Sequence, residues 1–219
     1  MDNKTHLYFM PGLAASSKIF EYLNLPNEKF ELHFLNWLIP ESIDETLDHY
    51  VKRLCTSIKH TNPILIGVSF GGIIVQEMSK YVHPEKVILI SSIKNNSEKP
   101  KRIIFLQKTK FYKLFPANII SKIENFSTFS FNKSIKKKLE LYNKYLAVRD
   151  KKYLNWAIHN VINWERENNI NNILHIHGSD DEIFPIKHIK NSIVIEGGTH
   201  AMIITKAKKI NTILEEIIT

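Results

Sequence analysis

Residues 67–72 read Gly-Val-Ser-Phe-Gly-Gly, directly after the apolar run Pro63-Ile64-Leu65-Ile66 and directly before a helix-like stretch from Ile73 to Val82. Gly-x-Ser-x-Gly in that setting is a strand-to-helix turn. Such a turn holds its central residue in a strained conformation, with the hydroxyl exposed above a sheet and a helix N-terminus beneath it. Ser69 is therefore the candidate nucleophile. Gly67 and Gly71 sit where the tight turn brings backbone against backbone, so a Cβ at either would collide. Gly72 would ease helix packing. By itself the pattern also describes a glycine-rich loop with a buried serine, so its meaning depends on what the rest of the chain supplies.

Two further segments follow in the order acid, then base. Residues 172–185, Asn-Ile-Leu-His-Ile-His-Gly-Ser-Asp-Asp-Glu-Ile-Phe-Pro, form a short apolar strand that ends in a glycine turn loaded with carboxylates. Residues 193–200, Ile-Val-Ile-Glu-Gly-Gly-Thr-His, are another short strand with a glycine turn and a histidine, followed by a helix-like stretch. A serine hydroxyl is a weak nucleophile at neutral pH. It needs an imidazole to take its proton and a carboxylate to fix that imidazole's tautomer. His200 is the candidate base, and Asp180, Asp181 and Glu182 are the carboxylates available to orient it.

On these residues the chain resembles the α/β-hydrolases over nearly its whole length. That family's pattern His-Gly-x-x-Asp-x-x-x-Pro falls on His177, Gly178, Asp181 and Pro185, so the resemblance implies Asp181 as the acid, with Asp180 and Glu182 as neighbours on the same loop. The family's first glycine loop, commonly His-Gly, reads Met10-Pro11-Gly12-Leu13 here, with proline in place of histidine. The resemblance implies an oxyanion hole made by the backbone N–H groups of Leu13 and Phe70, which the proline leaves in place. It also implies a helical cap inserted after the sixth family strand.

The periodicity predicts an α/β architecture with a mostly parallel six-stranded sheet, a trimmed version of the family's fold. Strands are expected near 5–10, 31–36, 63–68, 86–91, 172–177 and 191–196, and helices near 15–25, 43–60, 70–82 and 201–217. With 219 residues and 43% hydrophobic content, one core domain plus an insertion is expected. The core is assigned to 1–93 and 171–219 and the helical cap to 94–170. The glycines at 12, 67, 71, 178, 197 and 198 all fall at strand carboxyl ends, where an open α/β sheet places its site.

The 94–170 segment breaks the strand rhythm and is rich in aromatics: Phe105, Phe111, Tyr112 and Phe115, then Phe126, Phe129 and Phe131, then Tyr145, Tyr153, Trp156 and Trp164. These either wall an apolar pocket or pack the insertion onto the core. From Lys94 to Lys152 there are 16 Lys or Arg against 4 Asp or Glu, in a chain whose formal net charge is +8. The basic charge thus sits on the insertion, where it could steer an acidic substrate or an acidic acyl-carrier protein, or simply be solvated.

Other classes are disfavoured. Basic runs such as Lys136-Lys137-Lys138 come without a recognition motif, so nucleic acid is not expected. The glycine turns lack Gly-x-Gly-x-x-Gly, so no dinucleotide is expected, and no other cofactor. His6, His33, His49, His60, His83, His159 and His188 show no ligand spacing with carboxylates, so no metal is expected either. The single cysteine, Cys55, cannot form an internal disulfide. There is no run of 18 apolar residues and no signal-like start, which points to a cytoplasmic protein without a membrane partner. The expectation is a serine hydrolase that cleaves a small-molecule carboxylic ester or thioester. A non-catalytic ligand- or carrier-protein-binding protein on the same fold is the alternative.

Overall fold

A computed structural model describes residues 4–114 and 144–218. Six strands form one sheet: β1 (Thr5–Met10), β2 (Phe30–Phe34), β3 (Ile64–Val68), β4 (Lys86–Ile90), β5 (Ile173–Gly178) and β6 (Ile193–Ile195). Their spatial order is β2-β1-β3-β4-β5-β6, and every neighbouring pair is parallel. The order reverses between β1 and β3, and Met10 pairs with Gly67 there. The first glycine loop and the serine turn therefore leave the sheet side by side.

Both faces are covered, which is why the central strands read as continuous apolar runs rather than alternating ones. Tyr8, Met10, Leu65, Val87 and Leu89 face a cluster built with α1 (Leu47–Cys55), α2 (Phe70–Val82) and residues of Lys151–Asn163. Leu7, Phe9, Ile64, Ile66, Ile88 and Ile90 face the other, built with the turn Ser17–Phe20 and the C-terminal helix Ala207–Ile218. Burying each such side chain contributes about 1.5–3 kcal/mol. Among the described residues, no helix is long and apolar enough to cross a membrane.

Helix α2 spans 70–82 as the pattern predicts and ends where His83 turns left-handed at φ 45°. The other helices are shorter than expected. In place of a helix over 15–25 there is only the 3-10 turn Ser17–Phe20. The reason is non-local: the Ser16 amide donates to the Tyr145 carbonyl, the amides of Ala147 and Val148 donate to the Ala14 carbonyl, and Ala15 bridges Leu146. That pairing takes the start of the segment away from a helix. Helix α1 begins only at Leu47 because Thr46 caps it, its Oγ accepting from the His49 amide at 3.2 Å. The C-terminal stretch is two helices, Met202–Thr205 and Ala207–Ile218, separated at Lys206.

Within 94–170, the described residues form α3 (Lys101–Thr109) and α4 (Lys151–Asn163). Tyr145, Tyr153, Trp156 and Trp164 are buried. The Tyr153 hydroxyl accepts from the Ala14 amide at 3.1 Å, Trp156 Nε1 donates to the Glu45 carbonyl at 2.7 Å, and Trp164 Nε1 donates to Glu77 at 2.9 Å. These aromatics fasten α4 to the core. Phe105 and Phe111 are exposed, whereas Phe115, Phe126, Phe129 and Phe131 lie outside the described residues.

Candidate functional site

Ser69 is the residue between β3 and α2, with φ 53° and ψ −119°, a region that costs an L-residue of order 1–3 kcal/mol. The surroundings enforce it. The Ser69 amide donates to the Ile90 carbonyl at 3.0 Å, and the Ser69 carbonyl accepts from the Gly72 amide at 2.9 Å and from the Ser92 hydroxyl at 2.7 Å. A Cβ on Gly71 would overlap the carbonyl oxygens of Met10 and Pro11. Only glycine lets the start of α2 lie against the 10–13 loop.

The same device joins the other two loops. A Cβ on Gly178 would overlap the backbone of Gly198, so the turn after β5 and the turn after β6 touch backbone to backbone. That contact places Asp181 against His200. His200 Nδ1 lies 2.9 Å from Asp181 Oδ2 and 3.1 Å from Oδ1, and His200 Nε2 lies 2.9 Å from Ser69 Oγ. A carboxylate only accepts, so Nδ1 carries the proton and Nε2 is left to accept from the serine hydroxyl. Of the three carboxylates on the loop, Asp181 is the one turned inward. Asp180 accepts from the Ser179 hydroxyl and is exposed, as is Glu182.

Asp181 is buried at 3% exposure, yet it is held ionised. Burial alone would raise its pKa. The hydrogen bond and charge of His200 and the Phe184 amide outweigh that and hold the carboxyl below its usual value. The amides of Ile183 and Phe184 both donate to Oδ1, at 2.8 and 2.9 Å. Beneath it lies a residue that sequence reasoning had assigned only to a turn motif. His177 is fully buried, its Nε2 is 2.7 Å from the Phe184 carbonyl and 3.5 Å from Asp181 Oδ2, and its Nδ1 meets His175 at 3.1 Å. Burial lowers the pKa of His177, opposed by the Phe184 carbonyl and the Asp181 charge, so the ring stays neutral as a donor to that carbonyl.

The candidate oxyanion amides are close by. Among the described residues neither Leu13 nor Phe70 offers its N–H to an acceptor. The loop that carries Leu13 is tightly held: Trp37 Nε1 donates to the Gly12 carbonyl at 2.9 Å, and the Trp37 ring stacks on Phe70 with centroids 5.2 Å apart. Trp37, Tyr153 and Ser92 are supporting residues that no motif flagged. Ser92 alone had a signal, its position just past the end of a central strand. A cavity of about 580 Å³ lies between the start of α1 and α4, lined by Ile43, Asp44, Thr46, Tyr112 and His159 among others, and none of Ser69, Asp181 and His200 lines it.

Away from this end of the sheet, His6, His33 and His60 come together with ring nitrogens within 4.8 Å of one another. Their positions in the sequence offered no ligand spacing.

No family model matches the chain, and no curated protein matches it by sequence. Solved structures do match by shape. A bromoperoxidase from Bacillus anthracis superposes with a TM-score of 0.68 at 17% identity, covering 98% of this chain and 92% of that one. A structure from a study of carboxylesterases of the thaumarchaeon Nitrososphaera gargenis gives 0.68 at 15% identity, over 100% and 91%. One from a study of epoxide hydrolases of the α/β-hydrolase superfamily, from hot-environment metagenomes, gives 0.65 at 12%, over 100% and 92%. Six parallel strands in this order, the serine turn after β3 and these superpositions together give the chain the fold of the α/β-hydrolase superfamily.

Proposed function

We propose that the protein is a serine hydrolase that cleaves a carboxylic ester or thioester by way of an acyl-enzyme. The supporting observation is the unbroken hydrogen-bonded chain from Ser69 through His200 to a buried, ionised Asp181. His200 Nε2 takes the serine proton as Oγ attacks the acyl carbonyl. The Leu13 and Phe70 amides receive the developing oxyanion, and Asp181 stabilises the imidazolium. His200 then returns its proton to the departing alkoxide or thiolate. In the second half, water loses a proton to Nε2, attacks the acyl-serine and releases the acid, restoring the hydroxyl.

Labelling with a fluorophosphonate, followed by mass mapping, tests this reading. Rapid modification of Ser69 that disappears in His200→Gln is the expected result. Folded protein that resists the probe and turns over no short-chain ester or thioester would overturn it in favour of a ligand-binding role.

A further inference from the structure

We propose that His6, His33 and His60, together with Glu31, form a binding site for a divalent ion of the zinc class, separate from Ser69. His6 and Glu31 pair across β1 and β2, as do Tyr8 and His33, so all four side chains project from one face of the β1–β2 ladder. His60 reaches them from the loop before β3. His6 Nδ1 lies 3.1 Å from His33 Nε2, and the Glu31 carboxylate oxygens lie 3.5 Å from the first and 3.6 Å from the second. A tetrahedral ion with ligand bonds of about 2.0–2.1 Å sets its ligand atoms roughly 3.3–3.4 Å apart. The two imidazoles already stand near that spacing, and the Glu31 carboxylate, whose two oxygens each face one of them, turns to bring a single oxygen to both.

His60 supplies the fourth corner. Its ring stacks flat on His6, with centroids 3.5 Å apart and planes 5° from parallel, so loading requires that ring to rotate. The Tyr8 hydroxyl, 2.7 Å from His60 Nδ1, is the outer partner that orients it. Such partners are a regular part of imidazole metal sites. The alternative is a cluster held by imidazole–imidazole hydrogen bonds, of the kind His177 and His175 make at 3.1 Å in a sealed setting. The three imidazoles are half-buried rather than sealed off from water, so nothing obliges them to face one another. An ion here would cross-link edge strand β2 to β1 and to the chain entering β3.

The site lies near the amino end of β1, whereas Ser69 follows the carboxyl end of β3, so this inference does not depend on the hydrolase reading. The test is titration calorimetry of untagged, chelator-stripped full-length chain with Zn²⁺, and Co²⁺ absorption as a geometric readout. One ion per chain is expected, with intense tetrahedral Co²⁺ bands. His6→Gln and His33→Gln should each weaken binding by at least about tenfold, and Tyr8→Phe by roughly tenfold. His49→Gln and His200→Gln should leave it unchanged. In case the variants perturb folding, Zn²⁺ added to the wild-type chain should move the imidazole NMR signals of His6, His33 and His60 first. No saturable binding, or binding abolished by His49→Gln or His200→Gln and kept in His6→Gln, would overturn the proposal.

Discussion

Two groups of histidines, one at each end of the sheet, differ in what their nitrogens face. At the carboxyl end, His200 faces a carboxylate and a hydroxyl, and His177 faces a backbone carbonyl and the buried His175 ring. Each ring there has an assignable proton. Around His6, nitrogen faces nitrogen, with a single carboxylate for two rings. The first arrangement suits proton transfer between fixed atoms, and the second, on the proposal above, suits lone-pair donation to an ion. Proximity of histidines is common to both, and the identity of the partner is what separates acid–base chemistry from coordination.

The contrast can be broken in several ways. The largest effect should come from Ser69→Ala, which is expected to reduce ester turnover by about 10⁶-fold, whereas His33→Gln leaves it unaltered; a substrate series read by kcat/KM checks both. Next, Asp181→Asn should cost about 10⁴-fold by leaving His200 in the wrong tautomer, and Asp180→Asn should cost nothing measurable. If Asp180→Asn were the damaging change, the carboxylate geometry would be wrong. Gly178→Ala would push apart the two turns that carry Asp181 and His200. It should destabilise the fold by about 1–3 kcal/mol, which for a chain of this size is roughly 2–4 °C of melting temperature per kcal/mol, with a parallel loss of labelling at Ser69.

A smaller effect is acid sensitivity. The folded pKa values of His175 and His177 lie below the ordinary histidine value, so the unfolded chain binds their protons first as pH falls. Stability associated with them is complete above about pH 6.5 and declines below it, by up to about 1.4 kcal/mol per pH unit for each ring. Asp181, with its depressed pKa, adds a second decline below about pH 4. Denaturant midpoints measured from pH 8 to pH 3 should show both. In His177→Gln the midpoint should fall at neutral pH, because the Phe184 carbonyl partner is altered, while the slope between pH 6.5 and pH 5 becomes shallower.

The legibility of the chain follows the range of the interactions involved. Helix α2 and the serine turn are written in consecutive residues, so they could be read directly. The candidate acid and base could be read because each follows a short strand and a glycine turn, and the motif's spacing points to Asp181, the carboxylate that lies against His200. The segment 15–25 misled because its fate is decided by residues 145–148, more than a hundred positions away. The three-histidine group was unreadable for the same reason. Its members come from two strands and a loop with no common spacing, and only the β1–β2 register brings Glu31 and His33 alongside His6 and Tyr8. The aromatics of 94–170 were ambiguous in sequence. For Tyr153, Trp156 and Trp164, burial and their polar tips resolve the ambiguity toward packing.

The Ser69 amide donates to Ile90 across the centre of the sheet, and its carbonyl is held by Gly72 and Ser92. In hydrogen-bonding terms Ser69 is a sheet residue, not a loop residue. Its amide should therefore exchange with solvent deuterium only when β3 and β4 separate, at the slowest rate in the molecule. Heat inactivation and loss of the sheet would then share one midpoint, with no folded but disarmed intermediate between them.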